Sequence, residues 1–320
     1  MTLPGIGLVR RFLARRGLEL VGPGTAALRR AFLRTIEDWS VEDVDPPDGS
    51  DLSATGIVFS RDRAMQLHAL LSGWTENVDG AADLRVLWTS SSPGHEAAYR
   101  ELESIWGSRV AFVRESDFRT DLLREVESTP STHLFFLTDD AVVLQPFRLA
   151  DCLRPRPSRE VFSLTHGEGL EWCFVARRSQ RVPALEKNPD GTIGWTWSEG
   201  EPATDWAYPL SVDGKFFSPR ECAVLLRHLP FRNPNTLEAA LQVYQPLFAR
   251  RRGIAFSRPA LVNVPCNTVQ SDFRNHDSGL HTVADLLCLW QDGLRIRHEE
   301  FKGLAPAEAE IRNFTFVSRR

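Results

Sequence analysis

The sequence lacks the features of several protein classes. Its five cysteines are widely scattered and never form a C-x-x-C pair, which argues against a disulfide scaffold and a zinc knuckle. No apolar run approaches the ~20 residues that cross a bilayer, and the start has no apolar run followed by a small-residue cleavage site. No long stretch is uniformly basic and the formal net charge is -4, so a nucleic-acid binder is not expected. We therefore expect a cytoplasmic protein, soluble or peripherally attached to the inner face of a membrane.

The sequence carries enough apolar material for a sizeable core. It has 320 residues, of which 42% are hydrophobic and 25% charged, a composition that excludes disordered and fibrous classes. We expect a helical extension over residues 1–50, an α/β part over 51–150, and a less regular part of the same domain with C-terminal helices over 151–320. A sugar or metabolite suits this charge balance better than a nucleic acid.

The first residues mix apolar and basic side chains in the pattern of a short amphipathic helix. The residues concerned are Leu8, Val9, Phe12 and Leu13 with Arg10, Arg11, Arg15 and Arg16. Such a helix can lie on an anionic membrane surface, and it can also be a solvated helix that packs on its own domain. The sequence leaves both interpretations open.

Short apolar runs alternate with helical periodicity after residue 53. The runs are A-T-G-I-V-F-S (54–60), L-R-V-L-W (84–88), V-A-F-V (110–113) and H-L-F-F-L-T (133–138). Between them, apolar residues recur at the spacing of one helix face, for example at Leu67, Leu70, Leu71 and Trp74. Near-continuous apolar strands separated by helices indicate a mostly parallel sheet that is covered on both faces.

Polar residues follow each predicted strand. They are Ser60, Arg61, Asp62 and Arg63; Thr89, Ser90 and Ser91; Glu115, Ser116 and Asp117; and Asp139 and Asp140. Parallel strands bring their C-terminal ends to one edge of the sheet, where open α/β sheets bind ligands. The sequence therefore predicts a ligand site at this edge.

The second half of the sequence is less regular. V-D-G-K-F-F (212–217) carries a D-G turn signal, and Ser218 with Glu221 predicts a capping box at the start of a helix. Asn235 and Glu238 repeat that spacing before a helix predicted to end near Arg250 to Gly253. Thr282 and Asp285 predict the start of a last helix that Gly293 closes.

Asp139 and Asp140 end an apolar run abruptly, and A-V-V-L-Q-P-F (141–147) resumes it directly. An isolated pair of acids is usually a loop start or a helix cap, but here the acids interrupt extended structure. Mg²⁺ and Mn²⁺ prefer oxygen ligands, and Mg²⁺ is often held by one or two carboxylates together with substrate phosphates. The pair therefore predicts a divalent-cation site beside a phosphorylated ligand.

Two segments resemble motifs of GT-A glycosyltransferases, similar to bacterial family-2-like enzymes. G-I-V-F-S-R-D-R (56–63) is similar to the first nucleotide-binding strand and turn, and F-F-L-T-D-D-A-V-V (135–143) to a variant D-x-D motif with Thr138 in place of the first acid. F-R-N-P-N-T-L-E (231–238) resembles the acidic helix start of the acceptor side, with Leu237 where that family has a second acid. The loose similarity runs from about residue 54 to residue 250.

The resemblance implies a GT-A fold, a UDP- or GDP-sugar donor, Mn²⁺ or Mg²⁺, and a glycan or other hydroxyl acceptor. It implies donor contacts for Phe59, Ser60, Arg61, Arg63, Thr89 and Asp139, and metal contacts for Asp139, Asp140 and His276. Glu238 is the implied base for the acceptor hydroxyl, with Asp205 and Asp213 as rivals. Trp197 and Trp206 are candidate platforms for a sugar, although large aromatic rings usually pack in a core.

The resulting hypothesis is a metal-dependent, inverting sugar transfer. A sugar-phosphate nucleotidyltransferase is one rival, but it would carry a glycine-rich phosphate loop after the first strand, where this chain has S-R-D-R. The other rival is a catalytically silent protein of the same fold that binds a carbohydrate or a nucleotide. The chain has no G-x-S-x-G elbow, so a serine hydrolase is not expected.

Overall fold

The computed structural model describes residues 23–40, 44–267, 269, 280–307 and 314–319. The basic N-terminal segment and His276 lie outside these ranges. The helices are α1 (Pro23–Asp38), α2 (Ala64–Asn77), α3 (Pro93–Trp106), α4 (Phe118–Glu127), α5 (Leu149–Cys152), α6 (Pro219–Arg227), α7 (Pro234–Leu241), α8 (Gln245–Phe248) and α9 (Val283–Gln291). Within the described part of the chain, no helix is both long and apolar enough to span a membrane.

The strands are β1 (Ala54–Arg61), β2 (Val78–Asp79), β3 (Ala82–Thr89), β4 (Val110–Arg114), β5 (His133–Thr138), β6 (Ala141–Val143), β7 (Phe147–Arg148), β8 (Glu160–Ser163), β9 (Trp172–Cys173), β10 (Arg178–Ser179), β11 (Glu186–Lys187), β12 (Thr192–Thr196), β13 (Phe216–Phe217), β14 (Arg252–Phe256), β15 (Leu261–Asn263), β16 (Leu294–Ile296) and β17 (Phe316–Ser318). Single 3₁₀ turns cover Trp197–Glu199, Asp205–Ala207, Gln242–Tyr244 and His298–Phe301.

The central sheet has the strand order β13-β5-β1-β3-β4. Strands β5, β1, β3 and β4 are parallel, and β13 runs antiparallel to β5. The predicted mostly parallel α/β sheet is confirmed. Gly56 in β1 is required by packing, because a Cβ there would lie 2.4 Å from the Phe135 ring and 2.7 Å from Leu84.

Successive side chains of β1 point to opposite faces of the sheet and pack in two separate cores. Val58 packs on one face of the sheet with residues of α2 and α3, whereas Ile57 and Phe59 pack on the other face with residues of α4 and α6. Both faces are therefore buried, which explains why the strands read as continuous apolar runs. It also leaves the C-terminal edge as the polar rim of the sheet.

Local capping fixes the starts of the helices near that edge. Ser92 accepts a hydrogen bond from the His95 N–H at the start of α3, and Asp117 accepts one from Thr120 at the start of α4. At α9, Thr282 and Asp285 start the helix as predicted, and they do so in a capping box. The β-α connections are thereby held short and ordered beside the strand ends.

The helix predicted to reach Arg250 to Gly253 ends earlier. It stops at Leu241, and Arg252–Phe256 forms strand β14 between β12 and β8. Gly253 is not a helix cap, because a Cβ there would lie 2.2 Å from the ring of Trp195 in the paired strand. Close packing of strand on strand, rather than helix termination, explains this glycine.

Candidate active site

The turn after β1 has an unusual backbone that ties it to the turn after β3. Asp62 has a φ of 56°, a left-handed conformation in which Asp is tolerated better than most residues. Its Oδ1 accepts a hydrogen bond from the Ser91 N–H at 2.7 Å, and its own N–H donates to the Thr89 carbonyl at 3.4 Å. Arg61 consequently points outward, with its side chain 57% exposed, while Arg63 turns inward.

Asp139 lies at the end of β5 and is buried, with an exposure of 3%. Its Oδ2 accepts hydrogen bonds from Ser60 Oγ at 2.9 Å and from the Arg61 N–H at 3.3 Å. Ser60 Oγ is also hydrogen bonded to the Tyr99 hydroxyl at 2.6 Å. Burial raises the pKa of Asp139 to about 6, with the Arg63 charge opposing that rise. The ends of β1 and β5 thus share one polar network.

Arg63 bridges the two adjacent carboxylates. Its Nη1 donates to Asp139 Oδ1 at 3.0 Å and to Asp140 Oδ2 at 3.1 Å. Its Nε donates to the Asn267 side-chain oxygen at 2.9 Å, and its Nη2 donates to the Asn267 carbonyl. The backbone N–H of Arg63 donates to the Tyr99 hydroxyl at 3.2 Å. The guanidinium is therefore fixed on several sides.

The predicted metal ligands Asp139 and Asp140 are brought together, but around a guanidinium. A cation between them would have to take the place of Arg63, because Arg63 Nη1 already lies 3.0 Å from Asp139 Oδ1 and 3.1 Å from Asp140 Oδ2. Among the residues that the structure describes, no group of three His, Cys, Asp or Glu side chains could hold a metal ion. His276, the predicted third ligand, lies outside those residues. As arranged, the described donor set does not fit a divalent cation.

Asp213 joins the strand-end carboxylates from the D-G turn. Thr138 Oγ1 donates to Asp213 Oδ1 at 2.8 Å, and Ser211 Oγ donates to Asp213 Oδ2 at 3.3 Å. Burial raises the pKa of Asp213, the Thr138 hydrogen bond lowers it, and the negative charge of Asp140 raises it further. Thr138, which replaces the first acid of the D-x-D motif, therefore positions an acid from another part of the chain.

Glu238 lies on α7 beside Asp213 and is not a capping residue. The cap of α7 is Asn233, whose side chain accepts from the Thr236 N–H in a capping box. The predicted capping role of Asn235 and Glu238 is therefore wrong. Burial raises the pKa of Glu238 to about 7, and Asp213 adds to the rise while Lys215 opposes it. Glu238 is still partly exposed to solvent.

Lys215 is a buried cation that sequence analysis missed. It is 3% exposed, and its ammonium nitrogen lies 5.9 Å from the ring centroid of Trp197 and 6.0 Å from that of Tyr208. Burial lowers its pKa, whereas the charges of Glu238 and Asp213 raise it. Side chains alternate between the two faces of an extended segment. The apolar Phe217 could therefore have indicated that Lys215, two residues earlier, faces the same core.

The remaining predicted acceptor residues lie in the core rather than in an open site. Trp206 and Trp197 are 0% and 2% exposed, so neither has a free ring face for a sugar, and the platform prediction is wrong. They surround His166, which stacks on Trp195 at 4.9 Å. Asp205 accepts a hydrogen bond from Gln180 Nε2 at 2.8 Å, and burial raises its pKa.

One predicted donor contact also needs correction. Phe59 is 3% exposed and packs on Phe118 and Phe136. Its ring is therefore part of the core and offers no face to a ligand. Thr89 contributes its backbone carbonyl to the turn after β1. Ser60, Arg61, Arg63 and Asp139 do meet at the edge of the sheet as the sequence predicts.

No family model and no curated protein matches the chain. Among solved structures, residues 1–349 of S. aureus TarS in complex with UDP are 12% identical, with a TM-score of 0.43 over 66% of this chain and 59% of that chain. The mannosyltransferase PcManGT from Pyrobaculum calidifontis, solved with GDP-Man and Mn²⁺, is 16% identical, with a TM-score of 0.38 over 74% and 65%. A nucleotidyl transferase from Methanothermobacter is 17% identical, with a TM-score of 0.34 over 65% and 88%.

These are distant similarities to glycosyltransferases and to a nucleotidyl transferase. The match spans less than two thirds of the TarS and mannosyltransferase chains, and only 36% of a longer TarS chain. The chemistry of the site therefore rests on the side chains of this protein itself.

Proposed function

We propose that this protein is a glycosyltransferase that moves a sugar from a nucleoside-diphosphate donor to a hydroxyl acceptor. The observation that carries the proposal is the position of Glu238. This partly exposed carboxylate has a pKa of about 7 and interacts with the charge of Asp213, which accepts a hydrogen bond from Thr138, the residue before the carboxylates that end β5. A general base is most effective when its pKa lies near the working pH, and here it adjoins the edge where α/β sheets bind ligands.

In the proposed reaction, Glu238 removes the proton from the acceptor hydroxyl. The hydroxyl oxygen forms a bond to the anomeric carbon as the bond from that carbon to the diphosphate oxygen breaks, and the electron pair leaves with the diphosphate. One displacement of this kind inverts the anomeric carbon and needs no covalent intermediate. The step therefore requires one base on the acceptor side and a bound donor on the other.

The donor would lie along the ends of β1 and β5. Ser60 and Asp139 offer a hydroxyl and a carboxylate at this position, groups that suit the hydroxyls of a ribose. The exposed guanidinium of Arg61 suits a phosphate. The Mn²⁺ or Mg²⁺ expected from the sequence stays a prediction, and no step of the proposed reaction is routed through it.

Thermal unfolding with a panel of nucleotides and nucleotide sugars tests the proposal. A ligand at 100 times its Kd stabilises the folded state by about 2.7 kcal/mol, so UDP, GDP or their sugars should raise the melting temperature by several degrees. Release of UDP or GDP with an acceptor hydroxyl present should follow. Binding without release would favour the catalytically silent alternative, and pyrophosphate release from a nucleoside triphosphate and a sugar phosphate would favour a nucleotidyltransferase. No shift with any nucleotide would contradict the proposal.

The pH dependence of sugar transfer should follow the ionisation of Glu238. Because the base acts as a carboxylate, kcat/KM should rise with pH through about 7, where Glu238 loses its proton. Lys215→Met removes the charge that lowers the pKa of Glu238, so we expect the rise to move by about 1 pH unit or more toward alkaline values. Lys187→Met is the matched control, because the Lys187 side chain is 77% exposed. An unmoved profile in Lys215→Met would contradict this assignment.

The acceptor class, the cytoplasmic location and membrane contact through residues 8–16 stay predictions. The exposed face of α1 is compatible with such contact, since Leu33 is 63% and Ile36 39% exposed. A vesicle-sedimentation assay with and without residues 1–22 would test the membrane contact.

A further inference from the structure

The strand-end carboxylates already hold a cation, and that cation belongs to the chain. The guanidinium of Arg63 lies between Asp139 and Asp140, with contacts of 3.0 and 3.1 Å. We propose that Arg63 takes the place of a divalent ion at this edge, so that the nucleotide-sugar donor binds without a metal. The part of this inference that concerns the donor rests on the proposed function. The part that concerns the cation rests only on the geometry around Arg63.

The placement of Arg63 is built by the fold. The side chain is 11% exposed, and Asn267 receives hydrogen bonds from Nε and Nη2 through its side chain and its carbonyl. A planar guanidinium has five donors in a fixed fork and here serves four acceptors, whereas an ammonium group has only three donors. The left-handed turn at Asp62 is what directs Arg63 inward while Arg61 faces solvent.

Charge balance explains why a divalent ion would be excluded. Two neighbouring carboxylates repel each other, and Arg63 relieves that repulsion by contacting one oxygen of each. A metal ion at the same place would face the guanidinium at short range, or would have to expel it from its partners. Leaving a charged group buried without its partner is strongly destabilising, so the ion has to offset that loss before any net binding.

The diphosphate then meets an edge whose negative charge is already reduced. The exposed side chain of Arg61, 57% accessible at the end of β1, remains available for a phosphate oxygen. Fixed basic side chains can stabilise a leaving phosphate in the way that a metal ion does elsewhere.

A Mn²⁺ titration of the protein without nucleotide, monitored by electron paramagnetic resonance, tests whether Arg63 occupies the cation position. Arg63→Gln removes the counter-charge of the two adjacent carboxylates, so we expect it to bind Mn²⁺ at least about tenfold more tightly than the unaltered protein. Arg63→Gln with Asp140→Asn should lose this gain. Arg63→Lys keeps the charge and should bind Mn²⁺ no better than the unaltered protein, and circular dichroism of each variant checks that it is folded. Tight, stoichiometric Mn²⁺ binding by the unaltered protein would overturn the inference.

Calorimetry of nucleotide binding in EDTA and in Mn²⁺ tests whether the donor binds without a metal. We expect the affinity for UDP or GDP to differ by less than about threefold between the two conditions, a change below 1 kcal/mol. A gain of a hundredfold in Mn²⁺ would overturn the inference while leaving the proposed function intact. If no nucleotide binds in either condition, the proposed function fails, yet the Mn²⁺ titration still reports whether Arg63 occupies the cation position.

Discussion

Replacing Glu238 with glutamine should lower the turnover of sugar transfer by about 10²–10⁴-fold. The change keeps the shape of the side chain but removes the carboxylate that takes the proton from the acceptor. Nucleotide binding should be unchanged, because Glu238 lies on α7, whereas the proposed nucleotide contacts Ser60 and Asp139 lie at the ends of β1 and β5. Steady-state kinetics with a saturating donor, together with calorimetric binding of the nucleotide, measures both effects.

Two variants sharpen this experiment. Glu103→Gln changes an exposed glutamate on α3 and should leave turnover intact. Asp213→Asn removes the charge that raises the pKa of Glu238, so the rise of kcat/KM with pH should move toward acidic values while activity persists. If Glu238→Gln retains full turnover and Asp213→Asn does not, Asp213 rather than Glu238 is the base.

Removing the buried partner of Arg251 should cause the largest loss of stability. Arg251 and Glu221 form an ion pair with side-chain exposures of 5% and 0%. Glu221→Gln leaves the guanidinium charge in the core without a counter-charge, so we expect the free energy of unfolding to fall by about 3–5 kcal/mol. Urea unfolding followed by circular dichroism measures the change.

The same pair allows a matched comparison. The ion pair of Arg295 and Glu299 has side-chain exposures of 21% and 45%, so Glu299→Gln should cost less than about 1 kcal/mol. Replacing both buried partners, as Glu221→Leu with Arg251→Met, should recover most of the loss, because no buried charge is left without a partner. Equal losses at the two glutamates would contradict the assignment.

The parallel half of the fold follows from local sequence patterns. Strand β1 and helix α2 have the periods of a buried strand and of a helix, and polar residues such as Ser60 and Asp139 follow the strands at the ligand-binding edge. These features depend on neighbours within a few residues and on the rule that parallel strands end at one edge. The sequence pattern is sufficient for them.

Long-range partners explain the predictions that failed. Ser218 caps α6 as predicted and accepts a hydrogen bond from the Glu221 N–H. The Glu221 carboxylate, however, does not complete the capping box: it binds Arg251, which is 30 residues away, and Trp39. Arg63 reaches Asp139 across 76 residues, a contact that no spacing rule reveals. Acids and arginines have several possible partners, and only the tertiary packing selects one.

The tryptophans illustrate a different ambiguity. A large ring can pack in the core or stack on a ligand, and the sequence around Trp197 and Trp206 does not distinguish the two. The structure buries both rings around His166. Lys215 went unnoticed for the converse reason, because a lone lysine is usually exposed, whereas this one lies among acids that offset its burial.

A crystal structure with bound UDP, GDP or a sugar derivative of either tests the central claim most directly. The expected result is a nucleotide along the C-terminal ends of β1 and β5, within hydrogen-bond distance of Ser60 or Asp139, with its diphosphate directed toward Asp140 and the side of Glu238. A nucleotide bound elsewhere on the protein, with Ser60 still bonded only to Tyr99 and Asp139, and Asp139 only to Ser60, Arg61 and Arg63, would contradict the proposed enzyme.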